Sequence, residues 1–527
     1  MSRQGTRIRR AKARSLGFGM LLSAAAAGCA VGPNYKRPAL PAGDSYAPSP
    51  LPQVTASAPA ADGQAQEFST ARDISAQWWA LFQSPELNAL IQRAYAANPT
   101  IDAALATLKQ AQENVYAQRG FFYPTIQASY TRQRSKLSGN TAQASEPGIQ
   151  GDGENITQSG PALPVTYNFH TAEVTVGFTP DVFGGNRRQV ESLQAQADAA
   201  RYQLEAAYIT LASNVVAAAI QEASVRAQIT AAKAIIESNS HSLDILQEQL
   251  RLGYAMGLDV AAQESALAQS QQLLAPLERQ LEQTRDLLRV LVGNAPDHDV
   301  PENFELSSLH LPEDLPLTLP SKLVEQRPDV LSAEEQVHAA SAQIGVAVAN
   351  RLPQFSISGD LGGDASHFSQ MFWSSGTFWD VIGNVSQTIF DGGTLRHRQH
   401  AAEQALVQAA AQYRTTVLAA FQNVADTLHA LYSDADALKA ALAAQQAARV
   451  TLELTQRQLQ AGYVNYLALL NAQQTYQQAE ITLIQAQASR LGDTAALFQA
   501  LGGGWWNRVG KLTPDNDSRP PANDVNY

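Results

Sequence analysis

The sequence predicts a mainly α-helical fold, written as a tandem pseudo-repeat in which each copy carries two β-strands and one very long helical hairpin. The first observation is the duplication. Residues 183–300 open with Phe183-Gly-Gly-Asn-Arg187 and pass through a long Ala/Gln-rich stretch to Gly253-Tyr-Ala-Met-Gly-Leu-Asp-Val260. Residues 390–504 open with Phe390-Asp-Gly-Gly-Thr394 and pass through a similar stretch to Gly462-Tyr-Val-Asn-Tyr-Leu-Ala-Leu469. Asn98-Pro99 with Pro124 is matched by Arg327-Pro328 with Pro353 at the same internal spacing. A repeated unit of this size sets the architecture before any single motif is read. The second observation is that Arg188 to Leu252 and Arg396 to Ala461 contain neither proline nor glycine, so each supports a helix of roughly 98 Å at 1.5 Å per residue. The third is that each copy has two short segments of strict apolar/polar alternation, the period of a β-strand.

Taken in order, the chain opens with six basic residues before a short apolar run, Leu16 to Ala27. That run is too short to span a bilayer, which needs about 20 residues, and it fits a signal peptide over residues 1–28. Losing those six cations takes the formal net charge from −11 to −17. So acidic a body argues against nucleic-acid binding. The one cysteine, Cys29, follows Ala26-Ala27-Gly28 and cannot form an internal disulfide. Small residues before a cysteine here resemble the bacterial lipobox, which makes Cys29 the lipidated first residue of the mature chain; an incidental thiol is the alternative. Ala26 stands where a larger aliphatic residue is usual. Ala30, not aspartate, follows the cysteine, which resembles the signal for the outer membrane.

Residues 29–77 read as an extended N-terminal tether rich in Pro, Ala and Ser. Trp78-Trp79 opens the first repeat, 78–300. A helix from Ser84 to Ala97 has Leu87, Leu90, Ile91 and Ala94 on one stripe. Asn98 is then an N-cap with Pro99 in the first turn of the next helix, to about Arg119. Strands follow at about 121–132 and 173–183, separated by an exposed Gly/Ser/Gln-rich loop at about 133–164. The second repeat, 301–504, repeats the pair at about 353–361 and 378–390. Aromatic residues cluster near the strand ends, among them Phe121, Phe122, Tyr123, Tyr167, Phe169, Phe183, Phe378 and Trp379. This is the pattern of girdles on a membrane β-barrel, and equally of a soluble antiparallel sheet with an aromatic core; the lipobox favours the membrane. Four strands cannot close a membrane barrel, whose smallest single-chain form has about eight, and an open edge cannot face lipid. Strands that span a membrane here therefore require an obligate oligomer.

The long helices carry apolar residues at three- and four-residue spacing with alanine between, as in coiled-coil packing. Each ends at a Gly-Tyr turn, about 253–258 and 462–467, and a shorter helix returns, 258–293 and 467–500. Helices 99–119 and 328–350 would pack along the remaining length. Pro276 should bend the first return helix. Irregular segments, Asn294–Leu319 and both termini, would belt the middle of the rod, and 505–527 form a C-terminal tail.

Several segments then match one family in order. Cys29-Ala-Val-Gly-Pro-Asn-Tyr-Lys-Arg-Pro38, Trp78-Trp79-Ala-Leu-Phe82 through Asn98-Pro99, Phe390-Asp-Gly-Gly393, Gly462-Tyr-Val-Asn-Tyr-Leu-Ala-Leu-Leu-Asn-Ala-Gln473 and Leu501-Gly-Gly-Gly-Trp505 resemble outer-membrane factors of the TolC/OprM type, in particular the NodT-like lipoprotein group. The resemblance implies a homotrimer in the outer membrane. Its strands, four per chain, would close one 12-stranded barrel, and its helical hairpins would form a periplasmic tunnel. The helical tips would dock a periplasmic adaptor protein joined to an inner-membrane pump, usually proton-driven, and drugs, solvents, metabolites or metals would leave through the duct. The tip residues matching the family's docking and gate region are Gly253, Tyr254, Gly257, Leu258, Gly462, Tyr463, Tyr466 and Leu467. The bland alternative makes the glycines helix C-caps and the tyrosines packing. Asp259 is the candidate gate carboxylate. Ala468 and Asn471 stand where some relatives carry aspartates, so an acidic ring would rest on Asp259 alone.

No phosphate-binding loop, metalloprotease motif or nucleophile elbow occurs. His397 and His400 lie three apart with no carboxylate or cysteine at ligand spacing, and read as surface histidines. No enzyme, cofactor or metal site is expected. Two other readings stay open: a type I protein-secretion duct, and a structural coiled-coil lipoprotein without a channel.

Overall fold

The computed structural model describes residues 30–39, 45–48, 52–69, 72–137 and 165–508. The expected signal peptide, Cys29, most of the expected loop at 133–164 and the tail beyond Arg508 lie outside the described residues. In chain order the principal elements are β1 (Glu67–Ser69), α1 (Pro85–Ala97), α2 (Pro99–Arg119), β2 (Thr125–Leu137), β3 (Val165–Phe178), α3 (Gly185–Arg251), α4 (Gly257–Leu291), β4 (Asp314–Pro316), α5 (Pro320–Gln326), α6 (Pro328–Ala349), β5 (Gln354–Ala365), β6 (Thr377–Ser386), α7 (Thr394–Gln460) and α8 (Tyr466–Ala500).

The two long helical hairpins match in length. Helices α3 and α7 are both 67 residues long, and α4 and α8 are both 35. At 1.5 Å per residue the long helices reach about 100 Å. The same local chemistry starts both. Gly184 and Gly393 sit at φ +75° and +90° just before the first turn, and an upstream aspartate takes the free amides. Asp181 accepts from the N–H groups of Asn186 and Arg187, both at 2.9 Å. Asp391 accepts from those of Gly393 at 2.8 Å and Leu395 at 2.7 Å. A carboxylate there satisfies orphan donors and meets the positive end of the helix dipole. Earlier in the chain, Ser84 Oγ accepts from Leu87 N at 3.3 Å to start α1, and Asn98 Oδ1 accepts from Thr100 N at 2.8 Å to start α2.

Strands β2, β3, β5 and β6 form one antiparallel sheet in that order. The pairing of β3 with β5 joins the two strand pairs, β2–β3 and β5–β6, edge to edge. The strand limits differ from the sequence expectation. β3 runs from Val165 to Phe178, not 173–183, because Pro180 lacks an amide for the ladder and Asp181 is committed to the α3 cap. β2 starts at Thr125 because Gly120–Phe122 coil into a 3₁₀ turn before Pro124, and it continues to Leu137. β6 ends at Ser386, and Ile389 and Phe390 stand exposed beyond it.

The main core lies along the helices, where the belt closes on them. Trp78 stacks on Phe498 at 5.3 Å, with Trp79, Phe82, Leu90, Ile91, Val215, Phe304 and Leu497 packed around them. Burial of each such side chain contributes about 1.5–3 kcal/mol. Small residues on α3, such as Ala212, Ala219 and Ala223, are fully buried and admit close neighbours. Helix α3 packs on α2, α4, α6 and α8, and α6 also packs on α7. The position of α6 between the two long helices is not apparent from the repeat. Helix α4 runs unbroken through Pro276.

The expected tether is extended but docked. Val31 N donates to Phe183 O, Arg188 binds Val31 O, Gly32 O and Asn34 Oδ1, and Tyr35 stacks on His338 at 4.4 Å. Gly32, at φ +97°, lies so close to Gly345 that a Cβ would sit 2.4 Å from the Gly345 Cα. Further on, β1 pairs in parallel with β4. Buried Arg490 on α8 donates to Asp62 O, Gln64 O and Thr55 Oγ1.

Candidate functional site

Two parts of the molecule present chemistry outward: the hairpin tips at one end and the four-stranded sheet at the other. The two tips are built alike. Gly253 N donates to Leu250 O at 3.0 Å and Tyr254 N to Gln249 O at 2.8 Å; Gly462 N donates to Leu459 O at 3.0 Å and Tyr463 N to Gln458 O at 2.9 Å. Each is a Schellman motif with glycine in the left-handed region, φ +81° and +75°. Both glycines therefore serve the helix ends, each one residue past the caps Leu252 and Ala461. The tyrosines that follow are not packed. Tyr254 is 83% and Tyr463 82% exposed, and Met256, Leu258 and Leu467 are exposed beside them. Gly257 begins α4 with open space where a Cβ would stand, so no backbone constraint selects glycine there.

Tyr466 behaves differently from the other tip residues. It is only 9% exposed and lies in a small core with Leu246, Val260, Ala266, Leu469 and Leu470, separate from the main core. Its hydroxyl donates to Gln263 Oε1 at 2.8 Å, tying α8 to α4 across the two hairpins. Gln263 Nε2 donates to Asn239 O at 2.8 Å, and Asn239 Nδ2 donates to Ser270 Oγ at 2.7 Å, all in buried surroundings. Burial, and then the charge of Asp259, push the Tyr466 hydroxyl up to about 12. It thus stays protonated and able to donate at physiological pH. Sequence reasoning did not find Gln263, Asn239 or Ser270, because an Ala/Gln/Ser-rich helix gives no signal of which polar residue is buried. Asn465, also missed, caps α8 through Ala468 N at 3.0 Å. Asp259 is half-buried in the first turn of α4, Ala468 is half-buried and Asn471 is exposed.

The sheet has two chemically distinct faces. Register places Ile126, Ala128 and Tyr130 of β2 in line with Val174 and Val176 of β3, Phe355, Ile357 and Leu361 of β5, and Trp379, Val381 and Val385 of β6. Most of these side chains are exposed. The opposite face is mostly polar, with Gln127, Ser129, Thr131, Glu173, Thr175, Asp360, Asp380 and Asn384, and also carries Phe169, Phe378 and Ile382. One row on it runs Gln127, Thr175, Asp360, Asp380, so two carboxylates stand directly opposite each other. Among the described residues the outer edges of β2 and β6 are unpaired.

His397 and His400 face each other at 6.0 Å between ring centroids. Among the described residues no group of three or more His, Cys, Asp or Glu is arranged to hold a metal ion.

A family model described as "Outer membrane efflux protein" matches residues 90–294 and 319–503. The pyoverdine export outer membrane protein OpmQ of Pseudomonas putida is 28% identical over 459 residues, covering 87% of this chain and 94% of that protein. The outer membrane protein OprJ of Pseudomonas aeruginosa is 27% identical over 489 residues, covering 92% and 95%. The solved structure of the Campylobacter jejuni CmeC outer membrane channel superposes with a TM-score of 0.78 at 20% identity, covering 90% of this chain and 95% of that one.

Proposed function

The chain belongs to the outer membrane efflux protein family, and from that premise we propose that it works as a trimer whose sheets close one barrel and whose helices form a tunnel gated and docked at the hairpin tips. As a member of that family it is an outer-membrane channel of the TolC/OprM type and serves as the exit duct of an efflux pump. The observation that carries the proposal is the sheet, with apolar side chains from all four strands gathered on one face, mostly polar ones opposite, and two open edges among the described residues. Open edges in hydrocarbon leave backbone groups unpaired, at several kcal/mol each. Pairing β6 of one chain with β2 of the next satisfies them, and three chains give a 12-stranded barrel with apolar residues toward lipid and carboxylates toward the lumen. Exposed apolar side chains along α7, Val407, Leu418, Val450 and Leu454, supply a face for a neighbouring chain.

At the other end, the exposed Tyr254, Leu258, Tyr463 and Leu467 form the contact surface for a periplasmic adaptor, which links the duct to an inner-membrane pump. The pump supplies the energy. Tyr466 and Gln263 act inside the tip, holding the second hairpin against the first; Asp259 contributes its charge beside them. Cys29 is the lipid attachment site.

The test is photo-crosslinking in cells from Tyr254 and Tyr463, with mass spectrometry of the captured partner. Capture of a periplasmic adaptor of an efflux pump supports the reading. An adaptor of a protein-secretion system would transfer the duct to that role. No adaptor from either position, in cells where the trimer is abundant, would refute docking at the tips.

A further inference from the structure

We propose that the outward face of β2 carries a docking site for the phosphorylated headgroups of outer-leaflet glycolipid, formed by Arg132, Arg134 and Lys136. The inference rests on the barrel reading above. The β2–β3 register is unbroken from Thr125↔Gly177 to Leu137↔Val165, so alternate residues keep to one face throughout. On the lipid-facing side β2 reads Ile126, Ala128, Tyr130, then Arg132, Arg134 and Lys136. The change from apolar to cationic comes at a built boundary. Tyr130 Oη lies 2.9 Å from His170 Nδ1 and packs edge-on against Phe368 at 5.8 Å, and His170 meets Phe368 at 6.4 Å. This ring cluster sits where an interfacial girdle ends the apolar band.

The three cations are exposed, and among the described residues none forms an ion pair. Their cross-strand partners are His170, Asn168 and Thr166, with no carboxylate among them. The nearest acid on this strand pair, Glu173, lies on the other face and accepts from Ser129 Oγ at 3.1 Å. In a chain of net charge −11, three cations at alternate positions with no acid between them run against the overall bias. Successive side chains on one face are about 7 Å apart along a strand. With a tilt of about 45° the ladder climbs about 10 Å beyond the apolar band, the depth of a headgroup layer. A phosphorylated glycolipid fits both parts: acyl chains against the apolar band, phosphates on the guanidinium and ammonium groups.

The full-length purified trimer should be titrated with bis-phosphorylated lipid A and read by native mass spectrometry. Parallel arms use the dephosphorylated lipid, phosphatidylglycerol and inorganic phosphate. At about fivefold per cation, the triple variant Arg132→Gln, Arg134→Gln, Lys136→Gln should bind lipid A about a hundredfold more weakly. The single Arg134→Gln, which keeps most of the strand unchanged, should lose about fivefold. A control triple on the periplasmic helices, Lys109→Gln, Lys233→Gln, Lys439→Gln, should bind as the parent does. Unchanged affinity in both β2 variants, or an equal loss in the control, overturns the proposal. So does equal binding of phosphatidylglycerol or inorganic phosphate, which would mean an unselective cationic surface. Bilayer conductance of the parent trimer is measured alongside. Its absence would count against the barrel itself, whereas conductance with unaltered lipid A binding in the variants defeats only the ladder.

Discussion

Removal of one oxygen from the tip, Tyr466→Phe, should release the second hairpin from the first. The ring stays in its apolar nest with Val260, Leu469 and Leu470, so packing is conserved. The 2.8 Å hydrogen bond to Gln263 Oε1 is lost, and that acceptor, on a side chain with no solvent exposure, is left unpaired. An orphaned buried acceptor costs about 1–3 kcal/mol, and each 1.4 kcal/mol is a factor of ten. The balance between held and released tips should therefore shift about 5- to 150-fold. Single-channel recording in planar bilayers reads this as open probability, and hydrogen exchange of residues 460–470 reads the same release locally. Tyr463→Phe, altering an exposed ring one turn earlier, should change neither. A double-mutant cycle with Gln263→Leu should give a coupling above about 0.5 kcal/mol, as expected for residues in direct contact. Open probability within twofold of the parent, with no coupling in the cycle, would refute the tie between the hairpins.

Gly253→Ala and Gly462→Ala should each destabilise their tip by about 1–2 kcal/mol, because the left-handed backbone is strained for any residue with a Cβ although no neighbour obstructs it. Gly257→Ala, in open space at the start of α4, should stay within about 0.5 kcal/mol of the parent; local hydrogen exchange separates the cases. Asp360→Asn with Asp380→Asn should lower the preference of the pore for cations, measured as reversal potential in a salt gradient. It should also relieve the repulsion of like charges directly opposite in the sheet; an unchanged potential would remove these carboxylates from the lumen. On α7, burial and then the neighbouring Asp493 push the Asp434 carboxyl up to about 7, with Arg490 opposing. The folded state thus favours the protonated acid, and this contribution is complete below the unfolded value near 4 and is lost as pH rises through about 7. Asp434→Asn should accordingly raise the melting temperature more at pH 8 than at pH 5, and an equal shift at both would contradict the assignment.

The two long helices, their Gly-Tyr ends and the alternating strands were all legible in the sequence, because each is a local property. Absence of proline and glycine sets helix length, period-2 patterning sets strand faces, and positive φ at a turn selects glycine. The same locality made Gly253, Tyr254, Gly462 and Tyr463 readable as one kind of turn. Contacts between segments far apart were not readable. Nothing local distinguishes Tyr466, buried and bonded to Gln263, from Tyr463 three residues earlier and fully in solvent. Nothing in Arg490 announces that it grips the docked N-terminal segment at Asp62, Gln64 and Thr55. The strand ends likewise moved because Asp181 serves a helix and not the sheet. Local sequence thus determined which elements form and how long they are. The tertiary structure decided which polar side chains become internal ties and which aromatics stay outside, since burial depends on what packs above a residue and not on what precedes it in the chain.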